Sequence, residues 1–308
     1  MDDAGLKDAA AGRAARAFTL ARRTPSDAAF DWLLEEPRVL RRRYESVNRV
    51  EDRGRFEQAV LEAAGRKLKL LVQHPQERTD QGRAIIYFHG GGWIVGSPWT
   101  HADVSRLVCE AAGMTLVSVD YRLAPEAVAP APVEDGLLVL RQMLSEGVGG
   151  IKPAGVVLCG DSAGGAIALA AERGADPNLR KAIAGVASLY GAFGLMDSPS
   201  LVKASREDGM VRDCLERYWA LANPAQDPSP YALEALTVPS SVPAYLLAAS
   251  EDPVLDDTLA IAAAFEKAGR PHKLHVVEGE GHGFFHGPSS QATTIEAAGR
   301  LGAWMASR

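Results

Sequence analysis

The sequence predicts an α/β chain built on a mostly parallel sheet with helices on both faces. Three observations lead there. From residue 67 onward, short apolar runs of strand type alternate with stretches of helical periodicity. Most of these runs are apolar at every position, as in strands covered on both faces. The glycine-rich and polar loops that carry reactive side chains fall directly after the runs, where the carboxyl ends of parallel strands present their loops.

In chain order, residues 1–50 read as helical and contain no strand pattern. Ala9 to Arg23 mixes alanines with Arg13, Arg16, Arg22 and Arg23, and Pro25-Ser26-Asp27 supplies a break and an N-cap before Ala28 to Leu34. Arg41-Arg42-Arg43 reads as a solvated helix face, because the chain as a whole is acidic. Residues 1–50 are therefore expected to be an N-terminal helical cap segment, and 51–308 the main domain. Lys67 to Val72 partly alternates and suits an edge strand. The apolar runs Ala84 to Phe88, Met114 to Val119, Gly155 to Cys159, Gly185 to Tyr190, Ala244 to Ala249 and Lys273 to Val277 follow. Helical stretches lie between and after them at Val104 to Ala112, Val133 to Glu146, Asp256 to Ala268 and Ile295 to Met305.

The connection from Tyr190 to Pro239 is too long for an ordinary link between a strand and its neighbour. It carries Met196, Met210, Tyr218, Trp219 and Leu221 among turns at Asp227-Pro228 and Ser229-Pro230. It reads as a helical cap insertion at about 191–238 over the mouth of the sheet; the alternative is a peripheral insertion that touches no substrate.

Bulk composition narrows the function classes. The chain has 308 residues, 47% of them apolar and 23% charged, which is the composition of a globular protein with a large core. A net charge of −6 gives no attraction to nucleic acid or an anionic membrane surface. No apolar run approaches the ~18 residues of a membrane span. The acidic start Met1-Asp2-Asp3 lacks the apolar stretch of a signal peptide. Cys109, Cys159 and Cys214 are far apart, with no metal-binding or redox spacing, and read as buried structural thiols in a reducing cytoplasm.

The loops after the strands supply the parts of a nucleophilic site. Gly160-Asp161-Ser162-Ala163-Gly164 fits the G-x-S-x-G pattern of a nucleophile elbow, in which strand turns sharply into helix and presents a serine at the apex. A serine hydroxyl is a weak nucleophile and needs a base, an acid to orient the base, and donors for the oxyanion. Among seven histidines, His282 in Gly281-His282-Gly283-Phe284 lies in a flexible loop after the last strand, and His286 is its nearest competitor. A metal site from His282 and His286 is disfavoured, because Gly281, Gly283, Gly287 and Pro288 argue against the helix that would make their spacing useful. Asp252 follows the strand Ala244 to Ala249 and precedes Pro253, whereas Asp256 and Asp257 open the next helix as favourable N-terminal charges. His89-Gly90-Gly91-Gly92 offers backbone N–H groups that a ligand can approach closely, and no G-K-[S/T] follows to make it a phosphate cradle. Gly91, Gly92 and Ala163 are the expected oxyanion donors, with His89 as a support for the loop. The chain order Ser162, Asp252, His282 is that of the α/β-hydrolases.

These motifs, with Asp120-Tyr121-Arg122-Leu123-Ala124-Pro125-Glu126 and Asp252-Pro253-Val254-Leu255-Asp256-Asp257, resemble the bacterial hormone-sensitive-lipase-like esterases across roughly residues 65–305. Gly191 to Ser198 with Ser229-Pro230-Tyr231 looks most like the acetyl-esterase branch. The resemblance implies an α/β-hydrolase fold with an eight-stranded sheet and a helical cap. It also implies Ser162 as nucleophile, Asp252 as acid, His282 as base, and Gly91, Gly92 and Ala163 as the oxyanion hole. Members often pair through an edge strand, here around Lys273 to Val277, so a homodimer is an expectation. The expected activity is hydrolysis of a small-molecule ester with a short acyl group, without cofactor or metal; bulky Trp32, Tyr218 and Trp219 in the cap segments argue for the short chain. An amidase or aryl formamidase using the same residues, and a non-catalytic receptor on the same fold, are the alternatives.

Overall fold

All seven residues of the strand Gly155–Asp161 are buried, as are all five of Thr115–Val119, because helices cover both faces of the sheet they belong to. The computed structural model describes residues 5, 7, 9–11, 33, 35–50, 56–79, 82–204, 210–225, 229–236, 240–286 and 291–308. Strands β1 (Glu57–Ala63), β2 (Arg66–Gln73), β3 (Arg83–Phe88), β4 (Thr115–Val119), β5 (Gly155–Asp161), β6 (Ile183–Leu189), β7 (Ala244–Ala249) and β8 (His272–Val277) form one eight-stranded sheet in the order β1-β2-β4-β3-β5-β6-β7-β8. The pairs β1–β2 and β2–β4 are antiparallel, and every pair from β4 to β8 is parallel.

The described helices are α1 (Pro37–Asn48), α2 (Ala102–Ala112), α3 (Ala131–Ser145), α4 (Ala163–Gly174), α5 (Pro177–Lys181), α6 (Pro199–Lys203), α7 (Arg212–Ala222), α8 (Leu233–Leu236), α9 (Leu255–Lys267) and α10 (Gln291–Ala306). The two-residue period of a strand sends alternate side chains to opposite faces. Ile86 and Phe88 of β3 enter one core with Val139 of α3, Ile167 of α4 and Phe265 of α9. Ile85 and Tyr87 enter the other with Val108 of α2 and Leu301 of α10. Among the described residues no helix is long and apolar enough to cross a membrane.

The seven expected strands are all present, but β1 is additional. Glu57–Ala63 is rich in Ala, Glu and Leu, and only Leu61 among its residues is buried. Local preference there favours helix. A two-residue turn overrides it: Ala64 and Gly65 both take positive φ, 50° and 72°, which closes a tight hairpin with Ala63 opposite Arg66. The edge at this side is consequently β1, and β2 lies inside the sheet.

One expectation for the N-terminal segment needs correcting. Arg42 and Arg43 are exposed, but Arg41 is not a solvated face residue. Its guanidinium donates to the carbonyls of Ile94 (3.0 Å) and Ala124 (2.8 Å) and to Glu126 (3.0 Å). The loops after β3 and β4 expose acceptors beside α1, and the fork-shaped guanidinium satisfies several at once. Burial opposes the charge on Glu126, yet hydrogen bonds from Arg41 and Arg38 hold its carboxyl at about 2. The helical reading of Ala9 to Arg23 and of the Pro25 break lies almost wholly outside the described residues, as does Trp32.

Candidate active site

Strand β5 ends at Asp161 and α4 begins at Ala163, so a single residue turns one into the other. Ser162 does this at φ 52° and ψ −122°, a conformation that side-chain-bearing residues rarely adopt. Backbone crowding around it explains both glycines of the pentapeptide. A Cβ on Gly160 would stand 2.2 Å from the carbonyl oxygen of Gly164, and one on Gly164 would stand 2.0 Å from that of Phe88. The Ser162 N–H donates to the Leu189 carbonyl at 2.8 Å, which fixes the apex against β6.

The loop after β8 brings His282 to this apex. Its Nε2 lies 2.8 Å from Ser162 Oγ, and its Nδ1 lies 2.9 and 3.0 Å from the two carboxylate oxygens of Asp252. Asp252 is 3% exposed and also accepts the N–H of Val254 at 2.8 Å, so its carboxylate plane is set from the start of the α9 turn. A carboxylate at Nδ1 puts the proton there and turns the Nε2 lone pair toward Oγ. Ser162, Asp252 and His282 are thus brought together as one relay. His286 does not compete, because its Nε2 faces Asp161 Oδ2 at 3.3 Å and not the serine.

Gly91 and Gly92 follow β3 at φ 109° and 57°. Among the described residues the N–H groups of Gly91, Gly92 and Ala163 meet no acceptor. Ala163 is the first residue of α4, whose opening N–H groups have no partner within the helix. Gly90 donates to Asp161 Oδ1 at 3.0 Å and so ties this loop to the elbow. His89 is fully buried, and burial lowers it to about 4 despite its hydrogen bond to the Gly90 carbonyl. It is neutral at pH 7, stacks on Tyr121 with centroids 4.2 Å apart, and supports the loop.

The motif Asp120 to Glu126 backs the same loop. Tyr121 donates to the His89 carbonyl at 2.6 Å, and Arg122 pairs with the fully buried Asp135 of α3 at 2.9 Å. Asp120 is largely buried, and this raises its carboxyl to about 6 against the pull of Lys69. An unfolded Asp titrates near pH ~4, so Asp120 favours the fold below that pH and the benefit is lost as pH rises through its folded value. Asp120→Asn, which cannot ionise, is expected to match the wild type at about pH 4 and to exceed it by ~1–2 kcal/mol at about pH 8, read from urea midpoints.

Helix α7, between β6 and β7, lies over the loop that carries Gly91 and Gly92. A Cβ on Gly92 would stand 2.6 Å from the Tyr218 ring, and one on Gly194 would stand 2.7 Å from the Trp219 indole, so α7 sits directly on both. Trp93 packs edge-on to Trp219 (5.5 Å between centroids) and stacks on Tyr231 (5.4 Å). Asp256 and Asp257 do more than charge the start of α9. Asp256 accepts the N–H of Ser200 at 2.8 Å, and buried Asp257 accepts that of Phe193. Burial raises Asp257 to about 6, opposed by hydrogen bonds from the backbone of Phe193, Leu195 and Gly194.

Two features escaped the sequence reading. Asp161 carries four interactions although the elbow pattern leaves its position unspecified: Tyr87 (2.6 Å), Gly90 (3.0 Å), His286 (3.3 Å) and, at longer range, His101 (3.8 Å). His101, Asp161 and His286 are also the group of three metal-capable side chains whose ligand atoms lie within 4.8 Å of one another among the described residues; His282 is not part of it. Cys109, Cys159 and Cys214 are all buried.

Comparison with known proteins agrees with this geometry. A family model described as alpha/beta hydrolase fold matches residues 85–286. An acetyl-hydrolase of Streptomyces hygroscopicus is 33% identical over 198 residues, which cover 62% of this chain and 64% of the relative. A hyperthermophilic esterase from Pyrobaculum calidifontis superposes with a TM-score of 0.77 at 26% identity, covering 95% of both chains. An esterase from the bacterial hormone-sensitive lipase family superposes with a TM-score of 0.74 at 23% identity, covering 100% of this chain and 99% of that one. With its sheet order, its strand-to-helix serine and a family model spanning most of its length, the chain belongs to the alpha/beta hydrolase fold family.

Proposed function

We propose that this protein is a serine carboxylesterase of the hormone-sensitive-lipase-like group that hydrolyses short-chain acyl esters through a covalent acyl-enzyme. The observation that carries the reading is the relay from Asp252 through His282 to Ser162, set beside three backbone N–H groups without an acceptor. In this mechanism His282 Nε2 takes the proton of Ser162 as Oγ attacks the ester carbonyl. The oxyanion is received by the N–H groups of Gly91, Gly92 and Ala163. His282 then protonates the alcohol oxygen as its bond to carbon breaks. Water, deprotonated by the same histidine, attacks the acyl-serine and releases the acid.

Residues 1–50 and about 191–238 form the cap in this reading. The closeness of the Tyr218 ring to Gly92, with Trp219 beside it against Gly194, supports a short acyl site, since the Tyr218 ring occupies the space next to a donor. The acetyl-hydrolase relative supports the same class. The cytoplasmic location belongs to the proposal and is supported by Cys109, Cys159 and Cys214, which lie far apart in sequence and are all buried. So does a homodimer along β8, an edge strand with Leu274 38% exposed, for which light scattering should return twice the chain mass.

A series of p-nitrophenyl esters tests the substrate. Acetate and butyrate should give the highest kcat/KM, and each ester longer than hexanoate should fall by about tenfold or more, the effect of a closed acyl pocket. Equal rates on long and short chains would remove the short-chain assignment. No hydrolysis of any ester, together with no fluorophosphonate adduct on Ser162, would remove the esterase reading itself.

A further inference from the structure

Residues 278–286 after β8 have to hold His282 within hydrogen-bond reach of Ser162, and the backbone bonds that fix them, Glu251 N–H to the Glu280 carbonyl (2.9 Å) and Gly279 N–H to Ser250 Oγ (2.8 Å), tie them to the turn after β7 and not to the elbow. Gly279 and Gly283 take φ 73° and 70° with open space around both. Phe284 and Phe285 are buried against Tyr190, which anchors the loop on its apolar side. His282 itself bonds Asp252 and Ser162, members of the reacting set. One more polar side-chain contact ties the loop to the elbow, the approach of His286 Nε2 to Asp161 Oδ2 at 3.3 Å. The His286 N–H meanwhile donates to the Gly283 carbonyl at 2.7 Å and closes the turn that begins next to His282.

Asp161 is an unusual partner for that contact. It is 2% exposed, it immediately precedes Ser162, and its two oxygens divide their work. Oδ1 accepts the Tyr87 hydroxyl and the Gly90 N–H, which opens the oxyanion loop. Oδ2 faces His286 at 3.3 Å and His101 at 3.8 Å. The longer distance exceeds a hydrogen bond, so His286 is the side chain that donates to this oxygen. A buried charge needs its donors, and burial here is outweighed by His101, His286 and Tyr87, which hold the carboxyl well below the usual range. One carboxylate therefore joins the serine elbow, the oxyanion loop and the histidine loop.

We propose that His286 is a positioning residue of the hydrolytic reaction: its Nε2–H bond to Asp161 sets the loop that carries His282 in register with Ser162 and the oxyanion donors. The inference rests on the esterase reading above. His286 touches neither substrate nor the reacting atoms. It acts through the four-residue turn to His282, and a displacement of about 1 Å at a catalytic group costs on the order of 10²-fold in rate.

The test compares His286→Leu, which removes the donor, with His286→Gln, whose amide nitrogen can occupy the place of Nε2. Hydrolysis of p-nitrophenyl acetate and the rate of fluorophosphonate labelling of Ser162 are measured for both variants and the wild type. The wild type is measured first, and its failure to hydrolyse or label would strike the underlying esterase reading and not this inference. With an active wild type, His286→Leu should lower kcat by about 10–100-fold at a KM within about twofold, slow labelling in parallel, and recover most of the rate as His286→Gln. A kcat for His286→Leu close to that of the wild type would overturn the proposal. So would equal losses in both variants, or a KM that rises in step with a fall in thermal midpoint, since each marks a packing role. Wild-type activity lost to a chelator and restored by Zn²⁺ would also overturn it, because an ion and not a proton would then join His101, Asp161 and His286.

Discussion

Ser162→Ala is expected to lower kcat for p-nitrophenyl acetate by on the order of 10⁴–10⁶-fold while leaving the thermal midpoint unchanged. The hydroxyl has one hydrogen-bond partner, His282 Nε2, and no structural bond depends on it. Alanine accepts the unusual φ of 52° no worse than serine does, and the Ser162 N–H and C=O bonds to Leu189 and Gly165 are retained. The residual rate should remain above that of water alone, because the N–H groups of Gly91, Gly92 and Ala163 survive the change. A variant with full activity would end the serine mechanism.

Asp252→Asn should cost about 10⁴-fold in kcat at nearly constant KM. The native carboxylate accepts from two directions, the Val254 N–H at Oδ1 and the His282 Nδ1–H. An asparagine has one oxygen to offer. If that oxygen faces His282, the amide nitrogen opposes the Val254 N–H, donor against donor. If it faces Val254, the nitrogen donates to Nδ1, the proton moves to Nε2, and the base can no longer accept from Ser162. The donor clash of the first arrangement favours the second, which disables His282 as a base without touching the acyl site. Stopped-flow burst kinetics would show acylation, the first step, as the one that fails; a fall confined to deacylation would contradict the role given to Asp252.

Much of this arrangement was legible in the residues. The apolar runs place β3 to β7 within a few positions because a doubly covered strand leaves no polar alternation to misread. Ser162 and Ala163 follow β5, Gly91 and Gly92 follow β3, and Asp252 and His282 follow β7 and β8, so topology alone brings them to one edge. Strand β1 was not legible, since Glu57–Ala63 favours helix locally and becomes a strand only through the turn at Ala64 and Gly65. Arg41 looked like its neighbours Arg42 and Arg43, and nothing local marks which arginine of a triplet meets the carbonyls of Ile94 and Ala124. Asp161 and His286 stand 125 positions apart, and their contact depends on a glycine-hinged loop whose path no period or motif encodes.

The two carboxylates that open α9 give the insertion a fixed footing. Asp257 and Asp256 hold the backbone of Phe193 and Ser200, and the same helix begins three residues after Asp252. The stretch 193–200 is thus keyed to the turn that carries Asp252, whereas α7 meets Gly92 and Gly194 through Tyr218 and Trp219, and Tyr231 ahead of α8 stacks on Trp93. For anyone recombining such proteins, the natural splice point lies after Ser200 and not at the end of β6. A donor segment joined there inherits a seated first turn and leaves the relay undisturbed. A segment joined at Tyr190 takes the footing away with it.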